Sequence, residues 1–352
     1  METTLMDIGY VFGNNKVSLA RLITEMQFNN NPDLLLKFGI AGKEKCFEDN
    51  GYHLSYLSVA MELECPEIFA AYILWAKKML EARRIPVKDM ANNLEYMDMA
   101  CKEILTGDVY ETAHIYIQES KINLQDLHPA TETFFNNSNP ILEDAKQFLD
   151  FLLKGNKTQA QALIATLVKK GVPITSLYTN IFKVTQREVG LLWQNNNITV
   201  AHEHYCTAAT QSIMATLYPY IFTSEKKERK MLACSVSGDL HEMGIRMLSD
   251  LFEMDGWDTY YMGANMPDAN IISAMAEQQP QLLAISVTMP FHITKLQSLI
   301  KKIRNNTSIK NVKIIVGGYP FTLVHDLWRK VGADGWASTA KEAIQLANNM
   351  IF

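Results

Sequence analysis

The last third of the chain alternates between short apolar runs and apolar residues at helical spacing. Met231–Ser237 (MLACSVS) is an apolar run of strand length, followed by a polar turn and the helical pattern of Gly244–Phe252. Strand-like segments recur at Thr259–Met262, Leu282–Thr288, Lys313–Val316 and Asp334–Ala337. Helical patterns near Asp268–Gln278, Lys295–Arg304 and Phe321–Val331 separate them, and a last helix closes the series. Such alternation predicts a parallel sheet covered by helices on both faces, doubly wound in the flavodoxin manner. Ligands of these sheets sit in the loops that leave the C-terminal ends of the strands.

Upstream the period is helical throughout. Phe148, Phe151, Leu152, Leu163 and Leu167, then Ile181, Val184, Val189 and Leu192, mark a four-helix bundle broken at Gly155 and at Gly171-Val172-Pro173. The charged run Glu225–Lys230 reads as a solvated linker into the first strand. Nearer the N-terminus, Pro66 opens a helix that carries Ile68, Phe69, Tyr72, Ile73 and Ala76 on one face, and Pro86 breaks the next junction. Leu127–Pro140 has linker composition. The expected architecture is therefore multidomain α and α/β. It has an all-α domain at 1–127, a helical-bundle cap at 141–224 and a Rossmann-like sheet domain at 230–352.

Composition narrows the function. With 48% hydrophobic residues over 352 positions, the chain can bury cores. Residues 1–130 carry 12 basic and 19 acidic side chains, and the whole chain has a net charge of −5, so a DNA-reading domain is not expected. Five scattered cysteines without a C-x-x-C pair fit a reducing compartment and no zinc site. No basic-then-apolar leader and no long apolar run are present, so the expectation is a cytoplasmic protein without membrane contact. Phe352 follows the last helical pattern directly, so no attached output domain is expected.

The chemistry concentrates in Asp239-Leu240-His241-Glu242-Met243-Gly244, placed after a buried strand and opening a helix. This D-x-H-x-x-G resembles the motif of the B12-binding domain of methionine synthase and its relatives. The resemblance continues over about 120 residues, through Ser286-Val287-Thr288, Gly317-Gly318 and Gly332-Ala333-Asp334-Gly335. It implies a cobalamin whose cobalt takes His241 as lower ligand, an imidazole being a good donor for such a metal. Asp239 would accept the other ring N–H. Gly244, Gly317 and Gly318 would let the nucleotide tail pass, with Ser286 and Thr288 meeting its polar edge and Ser237 and Leu240 beside it. Pro290 stands where many relatives carry a second hydroxyl.

Two further stretches carry resemblances. Trp193 followed by Glu203-His204 matches the W-x(9)-E-H of CarH-type light-sensing B12 proteins. That implies adenosylcobalamin under Trp193, its ribose held by Glu203, and His204 as upper cobalt ligand after photolysis. Tyr52–Leu57, together with Phe69, Tyr72, Trp75 and Leu80, resembles the helical domain of photocobilins, which implies a biliverdin. Tyr52, Tyr56, Tyr72 and Trp75 would wall it, His53 would meet the pyrrole carbonyls, and Arg83 and Arg84 the propionates. The resulting expectation is a non-enzymatic photoreceptor, a homo-oligomer with light-dependent assembly and a downstream protein partner. Two alternatives share parts of the pattern. One is a corrinoid methyl carrier of a methyltransferase system, which needs neither W-x(9)-E-H nor the N-terminal domain. The other is a B12-dependent transcriptional regulator, disfavoured by the acidic N-terminus.

Overall fold

The structure, a computed structural model, describes residues 5–124, 133–222 and 225–351. The chain divides into two compact units. One comprises Met1–His128 with the short segments Met289–Thr294 and Thr322–His325, and the other holds the remainder. The first part of the expected linker (residues 127–132), the boundary at 224 and the closing Phe352 lie outside the described residues.

In the first unit, α1 (Leu5–Asn30) and α2 (Asp33–Glu62) are followed by α3 (Pro66–Ala82), α4 (Val87–Ile104) and α5 (Gly107–Asn123). Pro66 stands in the first turn of α3, where its missing N–H is not needed. Phe12, Leu19, Ile23, Leu54, Leu57, Ile68, Phe69, Ile73 and Leu94 fill the core. Within it Asn93 Nδ2 donates to Asn50 Oδ1 at 2.8 Å, and Asn50 Nδ2 to Thr24 Oγ1 at 3.0 Å.

The second unit opens with α6 (Leu142–Leu153), α7 (Lys157–Lys169), α8 (Ile174–Leu177), a π-helical turn at Tyr178–Phe182, α9 (Lys183–Gln194), α10 (Val200–Ala215) and α11 (Tyr218–Ile221). Phe148, Leu152, Ile164, Ile181, Phe182, Val189 and Ile213 pack together there. The described part of the connector is pinned to this bundle. Thr133 Oγ1 and the Phe134 N–H both donate to the buried Glu188, and Asn139 Nδ2 donates to the Asn180 carbonyl of the π turn at 2.7 Å.

The sheet region follows as β1 (Lys230–Val236), α12 (Met243–Met254), β2 (Asp258–Met266), α13 (Asp268–Gln278), β3 (Leu282–Ser286), a 3₁₀ turn at Pro290–His292 and α14 (Ile293–Asn305). It ends with β4 (Lys313–Gly317), α15 (Tyr319–Leu323), α16 (Leu327–Lys330), β5 (Gly335–Trp336) and α17 (Ala340–Met350). All pairings are parallel, in the order β2-β1-β3-β4-β5. The order of strand addition reverses between β1 and β3, so the loops leaving those strands flank a switch point. Met247 and Leu251 of α12 join the bundle core, so the bundle rests on the helix that opens at the candidate site.

Three local readings differ from expectation. The single helix near 321–331 is two short helices, α15 and α16. The run 225–230 is not simply solvated, because Lys226 pairs with Glu253 and Lys227 with Asp255 at the α12–β2 turn. β3 leaves regular pairing at Ser286, and Val287 N–H donates to the Gly317 carbonyl at 2.9 Å. There Gly318 has φ +112°, and a Cβ on it would lie 1.9 Å from the Val287 carbonyl oxygen, so this crossing requires glycine. All five cysteines are free thiols. Cys65, Cys101, Cys206 and Cys234 are buried and Cys46 is partly so. No helix among the described residues is long and apolar enough to cross a membrane.

Candidate functional site

The loop between β1 and α12 holds Asp239 and His241. Asp239 is wholly buried and His241 keeps 57% of its side chain exposed. The Asp239 carboxylate draws donors from its own loop and from the loop after β3. Its Oδ1 takes the His241 backbone N–H at 3.1 Å and faces His241 Nδ1 at 2.8 Å, and its Oδ2 takes the Thr288 N–H at 2.5 Å. An ionised carboxylate can only accept, so Nδ1 carries the proton and the lone pair resides on the outward Nε2. Ser235 Oγ donates to the His241 carbonyl at 2.8 Å from the buried end of β1.

Ser235, Ser286 and Gly317 stand in register on adjacent strands, forming one row at the C-terminal ends of β1, β3 and β4. Ser237, Ser286, Thr288 and Gly317 are partly buried, and Leu240 and Gly318 are exposed. A Cβ built on Gly244 would meet nothing within 4 Å, so the first turn of α12 leaves space that the protein itself does not fill. Among the described residues no group of three or more His, Cys, Asp or Glu could hold a metal ion. A lone oriented imidazole beside open space suits a metal that brings its equatorial ligands with it, and the residues present fit a cobalamin.

Next to His241, Glu242 ties the loop to its neighbours. Gln211 Nε2 of α10 donates to Glu242 Oε1 at 2.7 Å and the Tyr261 hydroxyl of β2 to Oε2 at 3.0 Å. Burial and the Glu242 carboxylate push the Tyr261 hydroxyl well above its ordinary pKa. His204 lies seven residues before Gln211 on α10, hence on the same helix face, about 10 Å along the axis. Its Nε2 is 3.5 Å from Glu203 Oε2, and Thr207 Oγ1 donates to Glu203 Oε1 at 3.1 Å. Trp193 is half-buried near the end of α9. His202 and Tyr205 have helix-level roles: His202 completes a capping box with Thr199, and the Tyr205 hydroxyl donates to the Gly155 carbonyl.

In the first unit the proposed bilin walls pack on one another. Tyr56 stacks on Tyr72 at 3.7 Å between centroids, and Phe291 meets Tyr56 edge-on at 5.3 Å. His53 is buried with Nδ1 2.8 Å from the Tyr72 hydroxyl, and burial pushes its pKa down to about 4. Arg83 donates to the Met79 carbonyl at the end of α3, and the exposed Arg84 has a left-handed φ of 61°.

Residues 144–218 and 229–345 each match a family model described as a B12 binding domain. A corrinoid protein of Desulfitobacterium hafniense is 24% identical over 168 residues, which is 46% of this chain and 76% of that protein. Dimethylamine corrinoid protein 1 of Methanosarcina mazei is 23% identical, covering 59% of this chain and 97% of its own length. Among solved structures, the Methanosarcina barkeri monomethylamine corrinoid protein superposes with a TM-score of 0.54 at 21% identity, covering 60% of this chain and all of that one. The chain carries a cobalamin-binding module.

These findings overturn the light-sensing expectation. The curated relatives are corrinoid proteins, one of them named for dimethylamine, in line with the methyl-carrier alternative. With the photoreceptor reading fall the photolytic role of His204, the light-dependent assembly and the need for a biliverdin on His53, Tyr56, Arg83 and Arg84. What these matches support is the corrinoid, neither its adenosyl form nor a bilin. Of the aromatic residues of α2 and α3, Tyr56 is buried against Tyr72 and Phe291, whereas Tyr52 and Trp75 are exposed.

Proposed function

We propose that this chain is the corrinoid methyl carrier of a methyltransferase system, in which His241 Nε2 would ligate the cobalt. In this reading a helical domain (1–127) precedes a helical cap (141–224) and a cobalamin-binding sheet domain (230–352). The observation that carries it is the Asp239–His241 pair at the sheet's switch point, with Nδ1 turned inward and Nε2 outward. Relatives named as dimethylamine and monomethylamine corrinoid proteins support the carrier role and point to a methylated amine as donor.

When bound, cobalamin supplies a metal that accepts and releases a methyl group. The chain's own residues hold and shield it. Asp239 keeps the proton on Nδ1 and so keeps Nε2 a donor. It can draw that proton closer or release it as the electron demand on Nε2 changes, an adjustment a neutral partner makes less well. Gly244 leaves room at the start of α12, and Ser286 and Thr288 offer hydroxyls beside it. His204, on the α10 face that also bears Gln211, with Glu203 beside it and Trp193 on α9, would hold the cofactor from the bundle. Bond making and breaking at the substrates belongs to partner methyltransferases.

The test uses the full chain loaded with cobalamin, reduced, and exposed to isotopically labelled iodomethane. The holo-protein is expected to retain the label and to pass it to a thiol acceptor when a corrinoid-dependent methyltransferase is added. A holo-protein that holds cobalamin but neither takes up nor passes the label refutes the carrier role.

A further inference from the structure

β2 departs from plain pairing with β1 just where it reaches the candidate site. The register runs evenly to Ala233↔Tyr261, then jumps to Cys234↔Gly263 and to Val236↔Met266, so β2 accommodates extra residues twice. Gly263 (φ +84°) and Asn265 (φ +52°) take the left-handed conformations that these bulges require. The consequence is a clamp on the ligand loop. Asn265 N–H donates to the Asp239 carbonyl at 2.9 Å, and Asn265 Oδ1 accepts the Gly238 N–H at 2.7 Å. The turn also closes on itself, the Asp239 N–H donating to the Val236 carbonyl at 3.0 Å.

We propose that Asn265 is a positioning residue for the cobalt ligand: it fixes the Gly238-Asp239 backbone, and Asp239 in turn fixes the His241 ring. Residue chemistry supports asparagine at this place. Asn is among the few side-chain-bearing residues that occupy the left-handed region readily. Its short amide supplies an acceptor at the right reach. Aspartate would supply the acceptor too, but would set a second negative charge beside the loop of the buried Asp239 carboxylate. The bulge thus converts an edge strand into a support for a loop in the neighbouring strand's turn.

The proposal rests on His241 being the cobalt ligand, and the test separates the two. Wild-type protein labelled with ¹⁵N-histidine and loaded with cob(II)alamin is expected to show a two-line nitrogen splitting in its paramagnetic resonance, against three lines without label. If the label changes nothing, the ligand reading fails and the proposal goes with it. With the ligand established, Asn265→Gly keeps the left-handed backbone and the N–H donor but removes the acceptor. It should unfold at nearly the wild-type temperature as apo-protein, bind cobalamin roughly tenfold more weakly and show a diminished histidine splitting. Asn265→Asp should restore the splitting in part, since it restores the acceptor. Asn265→Gly protein with wild-type affinity and full histidine splitting overturns the proposal. So does an affinity loss that Asn265→Asp fails to relieve while both apo-proteins remain folded.

Discussion

Replacing Asp239 by asparagine tests the core of the site with almost no change of shape. The carboxylate accepts at both oxygens, from His241 N–H and Nδ1–H on one and from the Thr288 N–H on the other. An amide cannot satisfy both sides. With its NH₂ toward Thr288, two donors oppose each other in a buried place, at a cost of about 1–3 kcal/mol. With its NH₂ toward His241, the ring must accept at Nδ1 and carry its proton on Nε2, which removes the lone pair from the metal-facing atom. Either branch penalises the ligated state. The expected loss in cobalamin affinity is about 10- to 100-fold, or roughly 1.4–2.7 kcal/mol. Absorbance titration of the apo-protein with hydroxocobalamin measures it, and the histidine nitrogen splitting reports whether the ring still ligates. Asp239→Asn protein with unaltered affinity and unaltered splitting would refute the claim that Asp239 sets the tautomer.

The remaining predictions address separate parts of the chain. His241→Ala should abolish the ¹⁵N-histidine effect outright while leaving the apo-protein folded, checked by resonance and circular dichroism. Gly244→Ala meets no protein atom, so apo stability should hold within about 1 kcal/mol while cobalamin binding weakens at least several-fold; a normal titration curve would remove Gly244 from the site. Gly318→Ala should instead cost more than about 3 kcal/mol in urea unfolding, because the backbone of Val287 is in the way and the φ is left-handed. His53 is held neutral, with its pKa lowered to about 4 from 6.5, so the unfolded chain binds its proton first. The stability this represents is whole above pH 6.5 and is lost as pH falls from there toward 4, by up to roughly 3 kcal/mol. Unfolding of wild type and His53→Gln between pH 7 and 4 should show the variant with the flatter profile.

Much of the sheet was readable because its signals are local. A buried strand such as MLACSV is a continuous apolar run, and Asp239 and His241 are two residues apart in one loop. What escaped the sequence acts across strands. Thr288 contributes a backbone N–H, which no side-chain pattern announces, and Asn265 acts through a bulge that only the register of two strands defines. Ser235 did leave a trace, as a hydroxyl in an otherwise apolar run. The light-sensing reading failed for a different reason. Trp193, Glu203 and His204 form a short pattern on helices, where polar and aromatic residues have ordinary uses. Neighbouring His202 and Tyr205, for example, cap a helix and tie two helices together. The stacked tyrosines of α2 and α3 likewise look the same in sequence whether they line a pocket or fill one.

The burial of the cysteines has a consequence for a chain that carries an alkylating cargo. A thiolate is a competent methyl acceptor, so a carrier with reactive sulfur would consume its own load. Burial pushes Cys46 and Cys206 up to about 11, and Cys101 and Cys234 up to about 12. Burial thus holds these four thiols in the protonated form, which is a poor nucleophile. Cys206 on α10 and Cys234 on β1 belong to the very elements that frame the site, yet both are packed away from solvent. If the chain carries methyl groups as proposed, this burial keeps Cys206 and Cys234 from competing with an external acceptor.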